Sequence, residues 1–296
     1  MKNKILSNIV AFIVVLIWAS TFISTKVLLE DFSPITILVY RFFIAIIILF
    51  IIYPRRFKVI SFKHELLFIG AGLSGFTFYF ILQNIALSYT TSSNLGIIAS
   101  LAPISTMIFT FIFFRTPKFK IRYVIGFLFA ILGVTAITLN GAYNLKLNPL
   151  GDILAVLAMI SWGVFAIFQR KIASLGYTGI GVTRREMLYG FIFIIPFFFI
   201  FKSEFNFQAF KDYTVVLNVL FLGVVASALA FVMWNYASSK IGSISTNIYL
   251  YLNPVLSTVL SMIFLNEKIT GYIIGGMVLS ILGLVLSTEF NEKDES

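Results

Sequence analysis

Asn247, Tyr249, Tyr251, Asn253 and Pro254 fall within eight consecutive residues of an otherwise apolar run, Ser243 to Asn266. Amides and phenols each offer a donor and an acceptor, and none of these groups is a nucleophile or a strong acid or base near neutral pH. The chemistry open to them is recognition: holding a polar solute inside an apolar surrounding. On a helix, Asn247, Tyr251 and Pro254 share one face at i, i+4 and i+7, while Tyr249 and Asn253 share a neighbouring face. Pro254 removes one backbone hydrogen bond and frees the carbonyl about four residues earlier, near Leu250. An earlier run, Ser92 to Arg115, repeats the layout with Pro103 in its middle, and Pro103 frees a carbonyl near Ala99 in the same way. With the two prolines aligned at an offset of 151 residues, Asn84 falls on Asn235, Ala86 on Ala237 and Thr106 on Ser257. The counterparts of Tyr249, Tyr251 and Asn253 are Ile98, Ser100 and Ala102, so the later copy is the chemically richer one.

Further polar groups fall inside apolar runs. Asn84 and Asn235 are candidates for substrate contact, and equally for an interhelical hydrogen bond. Tyr79 and Gln83 lie one turn apart, and Trp234 stands where the repeat would place a second Gln83, so two facing walls would be chemically unequal. Trp18 and Trp162 match at an offset of 144, and each indole can stack on a ligand and donate one hydrogen bond. Together Trp18, Tyr79, Gln83, Asn84, Trp162, Trp234, Asn235, Asn247, Tyr249, Tyr251 and Asn253 form the candidate binding set. Pro103 and Pro254 are candidate hinges, with a passive kink as the plain alternative. Lys26 and Arg170 match at helix ends and read as gates or topology anchors. Arg41 is the costliest residue to place: it can snorkel, pair with Glu30 or Asp31, or anchor a carboxylate.

The chain has no cysteine and one histidine, His64, in a charged stretch beside Lys63 and Glu65. Disulfides, thiolate catalysis and thiolate metal sites are excluded. With no nucleophile–base pair at depth, no metal-ligand set and no glycine-rich nucleotide loop, the expectation is a protein that is not an enzyme and uses neither cofactor nor metal. Hydrophobic residues make up 59% of the 296, charged residues only 11%, and the mean hydropathy is +1.00. A soluble domain would be about 45–50% apolar and about 25% charged. Lipid must therefore be the solvent for much of the surface.

The apolar runs predict ten transmembrane helices, at about 7–29, 34–53, 65–88, 93–114, 121–139, 150–171, 183–201, 213–238, 244–265 and 270–288. The first is read as a retained helix and not a signal peptide. With the N-terminus cytoplasmic, sixteen basic residues lie on the inner side and five on the outer, and Arg41 within the second helix completes the 22. That asymmetry is the positive-inside pattern. It places both termini in the cytoplasm and accounts for the net charge of +10 without nucleic acid. The domain reading is a first five-helix repeat at 1–140, a linker at 141–147, a second repeat at 148–288 and a disordered cytoplasmic tail at 289–296. At the offset of 144, Lys26 falls on Arg170 and Arg41 on Arg185. An odd number of spans inverts the second half, the arrangement of secondary transporters whose site lies at the repeat interface.

Ile17–Phe22 (Ile-Trp-Ala-Ser-Thr-Phe), Tyr40-Arg41-Phe42, Ala102-Pro103 and Asn253-Pro254 resemble the drug/metabolite transporter superfamily, EamA branch, over about residues 7–288. The Leu265-Asn266-Glu267-Lys268 turn is similar to that family's Gly-Glu turn, with Asn266 in place of the glycine; the first half has Arg115-Thr116-Pro117 there and lacks the glutamate. The resemblance implies a central cavity between two halves of an all-α integral membrane protein. It implies a secondary transporter, an exporter of a small metabolite such as an amino acid or related zwitterion, working by alternating access in the cytoplasmic membrane as a monomer or weak dimer among lipids. Efflux of lipophilic or cationic drugs, and a non-transporting receptor or scaffold, are the alternatives. With no carboxylate seen at mid-depth, a proton relay would have to use Asp152 or Glu186 near the surfaces.

Overall fold

The computed structural model describes residues 2–89, 95, 98–99, 101–115, 121–139, 149–253, 255–256, 259–260 and 271–287. Pro254, the 141–147 linker and the 289–296 tail lie outside them, as do Ser92 and most of the first half of the Ser92–Arg115 run.

Every regular element among the described residues is a helix. In order come α1 (Lys2–Leu28), α2 (Pro34–Ile52), α3 (Phe62–Tyr89), α4 (Ala102–Phe114), α5 (Ile121–Leu139), α6 (Pro149–Ser174), α7 (Ile180–Ile200), α8 (Tyr213–Ile241), α9 (Ser243–Ile248) and α10 (Gly271–Ser287). Five of these, α1, α2, α3, α6 and α8, are long and apolar enough to cross a membrane. Large apolar side chains face outward, among them Ile51 (69% exposed), Phe199 (72%) and Ile112 (60%). In water each would forfeit burial worth about 1.5–3 kcal/mol; against acyl chains it does not. The molecule is an all-α, multi-pass membrane protein.

The ends of the helices are set locally. Ser33 accepts from the Thr36 amide and Pro34 opens α2, where its missing N–H costs nothing. Ser61 and Asp212 cap α3 and α8 in the same way. Between α8 and α9 there is only Gly242, whose φ of 82° lets the chain turn at once into the next helix.

Two helices depart from the uniform α pitch. A π segment occupies Gly72–Phe78 in α3 and another Phe221–Leu229 in α8. Their first portions hold Gly72 and Gly223, and each glycine admits a neighbour's backbone. A Cβ on Gly72 would lie 2.7 Å from the Glu186 carbonyl oxygen of α7, and one on Gly223 would lie 2.7 Å from Ile44 Cγ2 and 3.3 Å from the Arg41 carbonyl oxygen of α2. So α7 beds on the π segment of α3, and α2 on that of α8. Thr77 reinforces the first contact, donating to the Gly190 carbonyl at 3.0 Å.

The central core joins α1, α2, α3, α6, α7 and α8 through Phe42, Phe68, Phe76, Phe165, Phe231 and Trp234. A smaller cluster around Leu28, Phe32, Val219 and Leu222 closes one end, where α1, α2 and α8 meet. α5 pairs with α10 to one side of this core.

Candidate functional site

Four helices bring aromatic rings to one point. Trp18 of α1 meets Trp162 of α6 edge to face at 5.5 Å, and also meets Phe231 at 5.0 Å and Trp234 at 4.9 Å, both on α8. Tyr79 of α3 joins through Trp162 at 5.0 Å. The indoles are held by hydrogen bonds as well as by packing. Trp18 Nε1 donates to the Ala226 carbonyl, 3.1 Å away inside the π segment of α8, and Trp162 Nε1 donates to Asn247 Oδ1 at 2.6 Å.

Against these rings lies a narrow cavity of about 30 Å³, room for about two water molecules. Trp18, Trp162 and Phe231 form its apolar wall, and Arg41, Tyr79, Gln83 and Asn253 supply its polar groups. Arg41 is only 3% exposed. Its Nε donates to Ser227 Oγ at 2.8 Å, and its guanidinium carbon sits 4.5 Å from the centre of the Phe80 ring. Among the described residues no carboxylate meets it. The expected pairing with Glu30 or Asp31, and the expected snorkelling, are replaced by burial beside the cavity, because the π segment of α8 brings Ser227 to meet the side chain. Gln83 donates to the Tyr79 hydroxyl at 3.2 Å. Asn253 Oδ1 is buried with no partner among the described residues. The cavity thus presents a cationic donor, an open acceptor and an aromatic wall.

The other members of the candidate set stand elsewhere. Asn84 donates to the Pro34 carbonyl at 3.2 Å, tying α3 to the start of α2. Asn235 donates to Thr183 Oγ1 at 2.8 Å and Glu186 Oε2 at 3.2 Å, and accepts from Gln169. Both amides are committed to interhelical bonds. Trp234 packs behind Trp18. Asn247 positions Trp162 and donates to the Ser243 carbonyl at 2.8 Å. Tyr251 is buried beside Ile248, and Tyr249 packs on the central core; neither lines the cavity. The reason is a change of pitch: residues Tyr249–Leu252 form a 3-10 turn. At three residues per turn it sets Leu250 and Asn253 on the cavity side.

Pro103 is not in the middle of a regular helix. It is the second residue of α4, where the missing amide breaks no helical bond. Lys26 Nζ donates to the Leu87 carbonyl at 3.2 Å, closing the end of α3. Arg170 lies over the Phe114 ring at 4.7 Å.

Two phenylalanines escaped the sequence reading, and so did the full burial of Glu186. Phe80 and Phe231 line the cavity, but among 34 phenylalanines no pattern marks them out. Glu186 lies near the start of α7 beside Arg184 and Arg185, yet it is 0% exposed. The spacing held a signal: three consecutive charged residues on a helix point about 100° apart, so they cannot all face water.

The sequence pattern of the EamA-like transporter family matches residues 5–139 and 149–288. An "Uncharacterized transporter" of Archaeoglobus fulgidus is 27% identical over 277 residues, covering 92% of this chain and 94% of that protein. A "Probable terminal-alkyne amino-acid exporter" of Streptantibioticus cattleyicolor is 24% identical over 215 residues, covering 73% of this chain and 70% of that protein. One crystal structure superposes with a TM-score of 0.75 at 20% identity, covering 95% of this chain and 96% of that one, a likeness of fold.

Proposed function

The chain belongs to the EamA-like transporter family, a family of membrane transporters and not enzymes, and from that premise we propose that it exports an amino acid or a closely related zwitterion by alternating access. The observation that carries the substrate class is Arg41: a buried guanidinium beside the cavity, without a carboxylate partner among the described residues. Keeping such a charge out of water is costly, and a substrate carboxylate is the complementary group. In this reading the carboxylate meets the outer nitrogens of Arg41. The ammonium donates to Asn253 Oδ1 and the Gln83 amide oxygen. The substrate side chain lies on Trp18, Trp162 and Phe231.

The scaffold of this reading is ten spans in two inverted halves, 1–140 and 148–288, with both termini cytoplasmic. The separate family matches over 5–139 and 149–288 support it. So does the reciprocal bedding of α2 and α7 on π segments whose glycines, Gly223 and Gly72, are 151 residues apart. A relative named as a probable terminal-alkyne amino-acid exporter is in keeping with the substrate class. A lipophilic cation is disfavoured because Arg41 would repel it across a site of low dielectric.

Counterflow in proteoliposomes tests the substrate class. Vesicles loaded with one unlabelled amino acid are expected to accumulate the labelled form, and the corresponding amino amides to compete poorly. Amides competing as well as acids would remove the role of Arg41, and no counterflow across an amino-acid panel would refute the substrate class.

A further inference from the structure

Behind the ring cluster is a second recess that the cavity chemistry does not use. Its walls come from α6 (Gln169, Ile172, Ala173), α8 (Asn235, Ser238, Ser239) and the turn into α7 (Tyr177 to Gly179), with Glu186 at its base. Its volume is about 30 Å³, room for about two water molecules. On α6, Gln169 is two helical turns beyond Trp162, and on α8, Asn235 is one turn beyond Phe231, so the recess begins where the rings end. It lies toward the end of the bundle that carries Arg55, Lys171, Arg184 and Lys240.

Glu186 is 0% exposed; its Oε2 accepts from Asn235 Nδ2 at 3.2 Å, while Oε1 has no hydrogen-bond partner among the described residues. The charged and titratable groups around it are committed elsewhere. Arg185 Nε donates to Glu65 Oε1 of α3 at 2.7 Å, and Tyr189 donates to the same oxygen. Arg184 reaches the Tyr53 and Arg55 carbonyls at the end of α2. Tyr177, which lines the recess, shares its hydroxyl with His64 Nδ1 at 2.9 Å and accepts from the Ile60 amide at 2.9 Å. The remaining walls, from α6 and α8, present neutral amides and hydroxyls. A fully buried carboxyl group held by neutral partners and lining a polar recess has the form of a proton-exchange site.

We propose that Glu186 is the coupling site of transport: it takes a proton from water in this recess and returns it to water as the protein changes state, so that proton movement drives export. The carboxylate gains the proton on its free oxygen and later loses it from the same atom, with no other bond made or broken. A metal cation fits less well. Hard cations need about six oxygen ligands, and Glu186 Oε2, Thr183 Oγ1 and Asn235 Oδ1 already accept from amide N–H groups. The link to the cavity is the backbone of Glu186 itself, seated on Gly72 at the start of the π segment that ends beside Tyr79. A shift of α7 on that seat moves the helix carrying Tyr79, Phe80 and Gln83.

The proposal rests on the transporter reading, and two measurements keep the questions apart. The first needs no substrate: the infrared carboxyl band of the purified protein, followed with pH, is compared between wild type and Glu186→Gln. A titrating band present in wild type and absent from the variant is expected; identical spectra at every pH would overturn the proposal. The second uses proteoliposomes with the membrane potential clamped. For exchange of one proton per substrate, a gradient of one pH unit sustains about a tenfold accumulation of amino acid. Glu186→Gln is expected to retain substrate–substrate exchange but to show a ratio near one, while Glu186→Asp keeps the response. A Gln variant that follows the gradient like wild type, or accumulation driven by sodium at constant pH, would overturn the assignment. If wild type moves no amino acid at all, the substrate reading fails, and the infrared titration still decides Glu186.

Discussion

Replacing Arg41 by methionine separates a residue kept for binding from one kept for stability. Among the described residues the guanidinium makes one hydrogen bond, to Ser227 at 2.8 Å, and stacks on Phe80 at 4.5 Å. Those contacts are worth about 1.5–3 kcal/mol and about 0.5–2 kcal/mol respectively. Against them stands the cost of holding a charge at 3% exposure, several kcal/mol after relaxation. Methionine is unbranched, nearly as long and carries no charge. The thermal midpoint of substrate-free Arg41→Met in detergent is therefore expected to equal or exceed that of wild type. Binding should change the other way. Losing one partner of a buried, hydrogen-bonded charge pair costs about 2–5 kcal/mol, and about 3 kcal/mol corresponds to roughly 100-fold in Kd. Titration calorimetry with an amino acid and its amide, on wild type and variant, forms a closed cycle. Wild type should prefer the acid by roughly that factor, and the variant should bind both equally weakly. A variant that binds the acid within about threefold of wild type, or still prefers acid to amide, would refute the carboxylate assignment. Arg41→Lys, which keeps the charge but not the planar fork, should fall between the two.

Other outcomes follow from single contacts. Trp162→Phe keeps the ring but removes the 2.6 Å bond to Asn247 Oδ1, leaving a buried acceptor unpaired; a loss of about 1–3 kcal/mol is expected in thermal unfolding, and an unchanged midpoint would show that the indole donor contributes nothing. Gly72→Ala sets a Cβ 2.7 Å from the Glu186 carbonyl oxygen, which cannot rotate away, and should cost about 1–3 kcal/mol and disturb gradient coupling. Gly275→Ala, with nothing within 4 Å, should leave the unfolding midpoint and flux within error of wild type. Arg184→Lys loses the fork that reaches both Tyr53 and Arg55 carbonyls; a drop of about 1–2 kcal/mol is expected, with the substrate Kd unchanged.

Five spans, α1, α2, α3, α6 and α8, were legible because their apolar runs are long enough to cross a bilayer, and their edges shift by only a few residues. Trp18 and Trp162 were legible because a common offset marks them, and the structure brings them into contact. Tyr79 and Gln83 were legible from ordinary helical spacing, since no change of pitch falls between them. What was not legible lies where pitch changes. A π segment adds a residue to a turn and rotates everything after it by about 100°. Nothing in Gly72–Phe78 announces this, yet it decides that Gln83, and not Asn84, faces the cavity. The 3-10 turn at Tyr249–Leu252 likewise moved both tyrosines off the wall and left Asn253 on it. Glu186 was read as lying near a membrane surface because it falls near a helix start; its full burial was hidden by the neighbouring Arg184 and Arg185. Their partners, Glu65 and the end of α2, come from parts of the chain more than 100 residues away.

Arg41 and Glu186 hold a final relation that sequence alignment hid. An offset of 144 sets Arg41 against Arg185. Packing sets it against Glu186: the Arg41 carbonyl oxygen is at the seat made by Gly223, and the Glu186 carbonyl oxygen is at the seat made by Gly72. If the two halves descend from one repeat, the same backbone position carries a buried cation in one half and a buried acid in the other. The cation borders the ring-walled cavity, and the acid borders the recess behind the rings. A symmetric pair of cations would offer two equivalent carboxylate sites and no place for a proton. The unlike pair divides the tasks, one side binding the solute and the other sensing the gradient. Exchanging them tests the division: Arg41→Glu with Glu186→Arg preserves net charge. It should abolish acid-over-amide selectivity and gradient response together. Retention of either would show that the two positions are not specialised by their charge.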